Sequence, residues 1–153
     1  MDINHNKVLK LVNVLSRRID GLEPKFQDKQ ILMLQNYIKS KQLESIGPLI
    51  YYSSNVKGVD TAGKPITTSK FMQQLSSSDV KVDFPYKFKP SMQIEKTLHL
   101  RFEDKVNKAQ FASMKMLSYA YENEIELTGE TYTVFLKQDE PGYMTADIFM
   151  PIK

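Results

Sequence analysis

The chain has 153 residues, which suits one domain whose core needs no disulfide or metal to fold. Its formal charge of +3 comes from 21 basic and 18 acidic residues mixed along the sequence, so neither nucleic acid nor an anionic membrane is indicated as a partner. The lack of cysteine excludes disulfides, thiolate catalysis and cysteine-rich metal sites. With a polar amino terminus and no long apolar run, the sequence predicts a cytoplasmic protein.

The first half of the chain predicts a strand, a helix and a second strand. Val and Leu residues favour a strand over Lys7–Ile19, with a helix as the alternative because Leu and Lys also favour helices. Pro24 suits the start of a helix. Its apolar positions then fall on one helical face: Ile31, Leu34, Tyr37 and Ile38. Gly47 and Pro48 end the connector, and a strand begins at Leu49.

Residues 53–79 are rich in Gly, Ser and Thr, which predicts a long loop with one short helix over Lys70–Leu75. The second half of the chain has only a short turn at the corresponding place, so the loop is expected on one half alone. Long loops in compact domains are often functional, which makes this segment a candidate contact surface.

The rest of the chain predicts four more strands and a helix. Val80–Phe88 is a predicted strand, and Met92–Phe102 alternates apolar and polar residues as a half-buried antiparallel strand does. Asp104 is the expected amino-terminal cap of the next helix, whose apolar stripe runs from Val106 to Ala120. Two further strands are predicted over Gly129–Lys137 and Thr145–Ile152.

The two halves show weak similarity at an offset of 82 residues. The matched pairs are Tyr37 with Tyr119, Leu43 with Ile125, Gly47 with Gly129, and Ile50 with Tyr132. We therefore expect one domain over residues 1–153, built from half-repeats at about 5–90 and 91–153. Each half is a strand-helix-strand-strand unit, and a groove between pseudo-symmetric halves is the expected ligand site.

These elements predict an α+β fold: an antiparallel sheet with both helices on one face and a concave groove on the other. Alternation along each strand predicts which residues lie beneath the helices: Ile50, Tyr52, Leu98, Leu100, Tyr132, Val134, Leu136, Ile148 and Met150. The opposite face then carries Tyr51, Ser53, Glu95, Thr97, His99, Arg101, Thr131, Thr133, Phe135, Asp147 and Phe149. Aromatic walls with a few polar groups are typical of a ligand groove, and a solvated sheet face is the alternative.

No motif in the sequence indicates catalysis, a metal or a cofactor. His99 is better explained as a surface or structural residue than as a catalyst. Glu95 and Asp147 can form a carboxylate pair only if the strands bring them together. The sequence contains neither a phosphate-binding Gly-rich loop nor a nucleophilic serine turn.

The order of elements resembles the gyrase-inhibitor-like, or effector-binding, domain family of bacteria. The segments that carry the resemblance are Gly47–Tyr52, Gly129–Leu136 and Thr145–Ile152. The resemblance implies a duplicated domain whose concave sheet face binds amphipathic, often cationic, small molecules. It also implies a stand-alone member, since no DNA-binding helices precede the domain in this sequence.

The sequence departs from the family pattern at two places. Thr133 stands where the family usually has its ligand-binding Glu, and His99–Glu103 stands in place of the family's His-x-Gly-Pro-Tyr signature. A buried carboxylate is what would compensate a cationic ligand for its lost hydration. Glu95 or Asp147, from neighbouring strands, are the candidate substitutes.

The leading hypothesis is a non-enzymatic module that binds a small amphipathic or aromatic molecule, or a peptide. The predicted site residues are Tyr51, Glu95, His99, Thr133, Phe135, Asp147 and Phe149. One alternative is a protein-interaction adaptor or chaperone that uses the groove and residues 53–79, as a further likeness to small proteins near secretion-toxin genes suggests. The other is a hydrolase that uses Glu95, His99 and Asp147. The sequence leaves a monomer or a homodimer open.

Overall fold

A computed structural model of the protein describes residues 2–19, 24–59, 62–63, 65–137 and 140–153. Within these ranges the chain forms six strands and two α-helices, which confirms the predicted α+β class. The elements are β1 (Ile3–Arg18), α1 (Pro24–Ser40), β2 (Ser45–Val59), β3 (Pro65–Leu75), β4 (Tyr86–Lys105), α2 (Ala109–Glu122), β5 (Glu130–Lys137) and β6 (Tyr143–Pro151). Neither described helix combines the length and hydrophobicity needed to cross a membrane.

The elements form two compact units. The amino-terminal unit is Lys10–Met92, in which β3 pairs antiparallel with both β1 and β2. The carboxy-terminal unit joins the residues up to Leu9 with Gln93–Lys153, and here β6 pairs antiparallel with β4 and β5. The internal duplication, and the groove expected from it, stay predictions.

The expectation of a long loop over residues 53–79 is wrong for most of that segment. Strand β2 continues to Val59, and β3 occupies Pro65–Leu75, where a loop and a short helix were expected. Hydrogen bonds from β3 to strands on both sides outweigh the local preference of Ser and Thr for turns. The proline is the first residue of its strand, which is a position where a sheet tolerates proline.

Two predictions around β4 are also wrong. Residues 80–83 have no regular structure, so the strand expected over Val80–Phe88 begins only at Tyr86. Asp104 lies within β4, where its carboxylate accepts a hydrogen bond from the Lys105 amide at 2.7 Å. Helix α2 starts later, after a 3-10 turn, and Lys108 at its cap position makes no side-chain cap.

Helix α2 packs on the carboxy-terminal sheet through one narrow stripe. Ala112, Met116 and Ala120 recur every four residues and are buried, as period 3.6 requires for one helical face. They join a cluster with six strand residues: Leu98, Leu100, Phe102, Ile148 and Met150 as buried members, with Met144 partly buried. Leu117 was expected in the stripe but is 53% exposed.

Helix α1 covers the amino-terminal sheet in the same manner. Its buried residues are Leu34 and Ile38. They meet three buried strand residues, Leu15, Phe71 and Leu75, together with Ile19, which follows β1. Beside this core, the rings of Tyr37 and Tyr86 stack at 3.7 Å with an interplanar angle of 10°. The Tyr86 hydroxyl donates to the Met33 carbonyl at 3.3 Å, which ties the start of β4 to α1.

Both helices end in the same way, 82 residues apart. Gln42 (φ 56°) and Glu124 (φ 54°) adopt the left-handed conformation that commonly terminates helices. The next amide then bonds to a carbonyl five residues earlier, Leu43 to Ile38 at 3.0 Å and Ile125 to Ala120 at 2.8 Å. A residue other than glycine at this position carries a conformational cost.

Replacing Glu124 by glycine should therefore increase the free energy of unfolding by about 0.5–1 kcal/mol, because glycine adopts positive φ without steric cost. Urea denaturation followed by circular dichroism measures the change. Lys115→Gly, in the interior of α2, is the control and should lower stability by about 1 kcal/mol. Equal losses for both variants would contradict the assigned helix end.

Candidate functional site

The pairing of β4 with β6 determines which side chains meet on the outer face of the carboxy-terminal sheet. Residues directly opposite in an antiparallel pair share a face. Leu100 is opposite Ile148 and belongs to the core beneath α2. The alternate positions therefore point away from α2, and they bring together two directly opposite pairs: His99 with Phe149, and Arg101 with Asp147.

Asp147 is the centre of a polar network on this face. Arg101 binds it in a bidentate manner, with Nε to Oδ1 and Nη2 to Oδ2 both at 2.9 Å. His99 Nε2 lies 2.8 Å from Oδ1 of the same carboxylate. The side chains of His99 and Asp147 are each 13% exposed, whereas that of Arg101 is 52% exposed. A nearly buried carboxylate thus has one buried and one solvent-accessible partner.

His99 is held on both sides of its ring. The Asn4 side-chain nitrogen lies 3.1 Å from Nδ1, so an amide that donates there matches a neutral imidazole with its proton on Nε2. That proton then donates to Asp147. The His99 ring also contacts the ring of Phe149, with centroids 4.8 Å apart and a 40° tilt. The polar contacts of His99 and the Phe149 ring therefore lie next to each other on this face.

The network changes the acidity of Asp147. Burial by itself would raise the pKa of this carboxyl, but hydrogen bonds from Arg101 and His99 and the positive charge of Arg101 outweigh burial and hold the pKa below its ordinary value. The same contact raises the pKa of the Arg101 guanidinium. Asp147 is consequently ionised at neutral pH, and its charge is balanced by Arg101.

Strand β5 adds residues that the sequence pattern assigned to the wrong face. Tyr132 is opposite Phe149 and Val134 is opposite Asp147, so both lie on the outer face that was predicted for their neighbours. Thr133 is opposite Ile148, and Phe135 is opposite Ala146, which places both predicted site residues on the α2 side. We call the outer set the Asp147 face: His99, Arg101, Tyr132, Val134, Asp147 and Phe149.

Tyr51 was predicted on the outer face, but it packs against the core cluster of α1 in the amino-terminal unit. It is opposite Phe71, with ring centroids 5.4 Å apart, and its hydroxyl donates to Ser69 Oγ at 3.2 Å. Four steps along β2, from Ile46 to Ile50, match only two along β3, from Gln74 to Met72, so β2 bulges where Gly47 has φ 75°. Beyond this bulge Tyr51 lies on the side of the α1 cluster.

Glu95 lies on β4 but far from the network. Its carboxylate is exposed and accepts a hydrogen bond from Gln93 Nε2 at 2.7 Å. Arg101 lies six positions further along the strand, which corresponds to roughly 20 Å. The structure therefore does not bring Glu95 and Asp147 together as a carboxylate pair. Across the described part of the chain, no three His, Asp or Glu side chains cluster as metal ligands.

Several solved structures share this fold. The crystal structure of the EcmrR C-terminal domain matches with a TM-score of 0.69 and 14% identity, covering 100% of this chain and 99% of that chain. A hydrolase from Listeria innocua matches with a TM-score of 0.56 and 12% identity, covering 97% and 92%. SAV2435 bound to tetraphenylphosphonium matches with a TM-score of 0.51 and 12% identity, covering 100% and 94%. At these identities the likeness shows the fold alone.

No protein-family model and no curated protein matches the chain.

Asp147→Asn should destabilise the protein at pH 7 and have less effect in acid. Because folding lowers the pKa of Asp147, its stabilising contribution is present above the ordinary value of about 3.9 and is lost as the pH falls through the folded-state value. Free energies of unfolding from urea titrations between pH 7 and pH 3 test this. The gap between variant and wild type should narrow in the acid range, whereas Asp79→Asn, at an exposed position, should show little gap at any pH. A gap for Asp147→Asn that is independent of pH would refute the assignment.

Proposed function

We propose that the protein is a binding module of the effector-binding type, and that the Asp147 face holds a small aromatic or amphipathic molecule. The observation that supports this most directly is the adjacency of a nearly buried ionised carboxylate to the rings of Phe149 and His99. Such a face offers apolar contact area together with a few oriented polar groups, the usual composition of ligand sites. A fold shared with SAV2435, whose structure contains tetraphenylphosphonium, adds support.

The position of Arg101 decides whether this face prefers a neutral or a cationic ligand. While Arg101 holds both oxygens of Asp147, the carboxylate is neutralised and attracts a cation weakly. The Arg101 side chain is 52% exposed, so it can leave for solvent when a cation takes its place. We therefore expect neutral aromatic molecules to bind directly and lipophilic cations to bind in competition with Arg101.

The alternatives have less support. In the hydrolase hypothesis His99 would help to activate water, whereas both of its ring nitrogens lie beside other side chains, Asn4 and Asp147. The adaptor hypothesis relied on residues 53–79 as a long loop, and most of these residues lie in β2 and β3. Small-molecule binding needs neither feature.

Titration with tetraphenylphosphonium, followed by isothermal calorimetry and by the melting temperature, tests the proposal. Phe149→Leu should weaken binding by about tenfold, since a ring in contact with an aromatic ligand contributes about 1 kcal/mol or more. Phe111→Leu is the matched control because Phe111 is an exposed residue of α2, and it should leave the affinity unchanged.

Changing the charge of the site should change the affinity in the opposite direction. Arg101→Gln should strengthen the binding of this cation by about tenfold, because it frees the Asp147 carboxylate from its competing partner. Asp147→Asn should weaken it by a similar factor. If Phe149→Leu, Arg101→Gln and Asp147→Asn all bound the cation as the wild type does, the proposed site would be refuted. If no aromatic compound in a broad library bound, the proposed function would be refuted.

A further inference from the structure

The amino-terminal unit contains a cavity of about 410 Å³ that is lined by several basic residues. Arg17 and Arg18 come from β1, Lys70 from β3, and Lys87 from the start of β4. Among its described lining residues none is acidic. This cavity contains none of the residues of the Asp147 face and belongs to the other unit.

The sheet register sets two of these cations side by side. Arg18 is directly opposite Lys70 in the pairing of β1 with β3. Like charges at directly opposite positions destabilise an antiparallel pair. Lys70 Nζ lies over the Tyr52 ring, 5.2 Å from its centroid, so one of the charges rests on an aromatic ring. An anion placed between the two side chains would be attracted by both of them.

Arg17 is held in place by an aromatic ring and a sulfur atom. Its guanidinium carbon lies 5.4 Å from the centroid of the Tyr86 ring, and Nη1 lies 3.6 Å from the sulfur of Met33. Its Nε is buried and has no hydrogen-bond partner. A positive charge that is fixed by an aromatic ring retains hydrogen-bond donors for a ligand.

The remaining lining residues indicate an organic anion. Ser16 and Thr68 supply hydroxyl groups next to the cations, and Phe84 stands 96% exposed beside Pro85 at the same cavity. A ring that is almost fully solvated loses unfavourable water contact when another ring covers it. We propose that this cavity binds a phosphorylated aromatic small molecule, with the phosphate held by the Arg18–Lys70 pair and the aromatic part against Phe84.

Phenyl phosphate is the probe, and the full chain labelled with nitrogen-15 is the sample for titration by nuclear magnetic resonance. We expect millimolar or tighter binding, with the shift changes centred on residues 16–18, 68–70 and 84–87. Arg18→Gln and Lys70→Gln should each weaken binding by about tenfold, since each removes a charge-assisted hydrogen bond to the phosphate. Lys81→Gln removes an exposed charge of the same unit away from the cavity and should have no effect.

Two further comparisons distinguish the contribution of the phosphate from that of the aromatic ring. Inorganic phosphate should bind more weakly than phenyl phosphate, and Phe84→Ala should remove that difference. Phenol should bind weakly and be insensitive to Lys70→Gln.

The proposal is overturned if phenyl phosphate produces no shift at these residues at concentrations of about 10 mM, or if both charge variants bind it as the wild type does. It is also overturned if the shifts centre on the Asp147 face. Since tetraphenylphosphonium and phenyl phosphate carry opposite charges and address different units, the failure of one proposal leaves the other standing.

Discussion

The register between β4 and β6 is the constraint on which the carboxy-terminal unit depends. Nine consecutive residues, Thr97–Lys105, are each opposite one residue of Tyr143–Pro151, without a bulge. This ladder places every second residue in the core and the others on the Asp147 face. A slip by one residue would move Asp147 into the apolar core and expose Ile148. Burial of an unpaired carboxylate is costly, so the bidentate contact with Arg101 also favours the observed register.

The sequence allowed some faces to be predicted and not others, and the difference has a physical cause. In β4 and β6 apolar and polar residues alternate, so His99, Arg101, Asp147 and Phe149 could be placed together in advance. Strand β5 has consecutive apolar residues at its end, and its own pattern does not distinguish its faces. Its pairing with β6 decides them. Tyr132, which is buried on the face of Asp147, carried no signal that the sequence alone could reveal.

Local residue preferences also gave wrong predictions where pairing between strands decides the structure. The segment over residues 65–75 is polar enough to suggest a loop, yet Phe71 and Leu75 of β3 belong to the core beneath α1. In β2 the left-handed Gly47 shifts the register, and the Gln73 side chain donates to its carbonyl at 2.9 Å. The position of a bulge depends on a partner strand that is distant in sequence, which periodicity cannot detect. The fold class and the presence of α1 and α2 were accessible because they depend on local patterns.

The stacked rings of Tyr37 and Tyr86 have a practical consequence. The chain contains eight tyrosines and no tryptophan, so tyrosine dominates its near-ultraviolet absorption and fluorescence. Two parallel rings 3.7 Å apart couple their electronic transitions, and the coupling vanishes when the rings separate. Both rings belong to the amino-terminal unit. Near-ultraviolet circular dichroism therefore contains an intrinsic optical signal from that unit, by which its unfolding can be followed without a label.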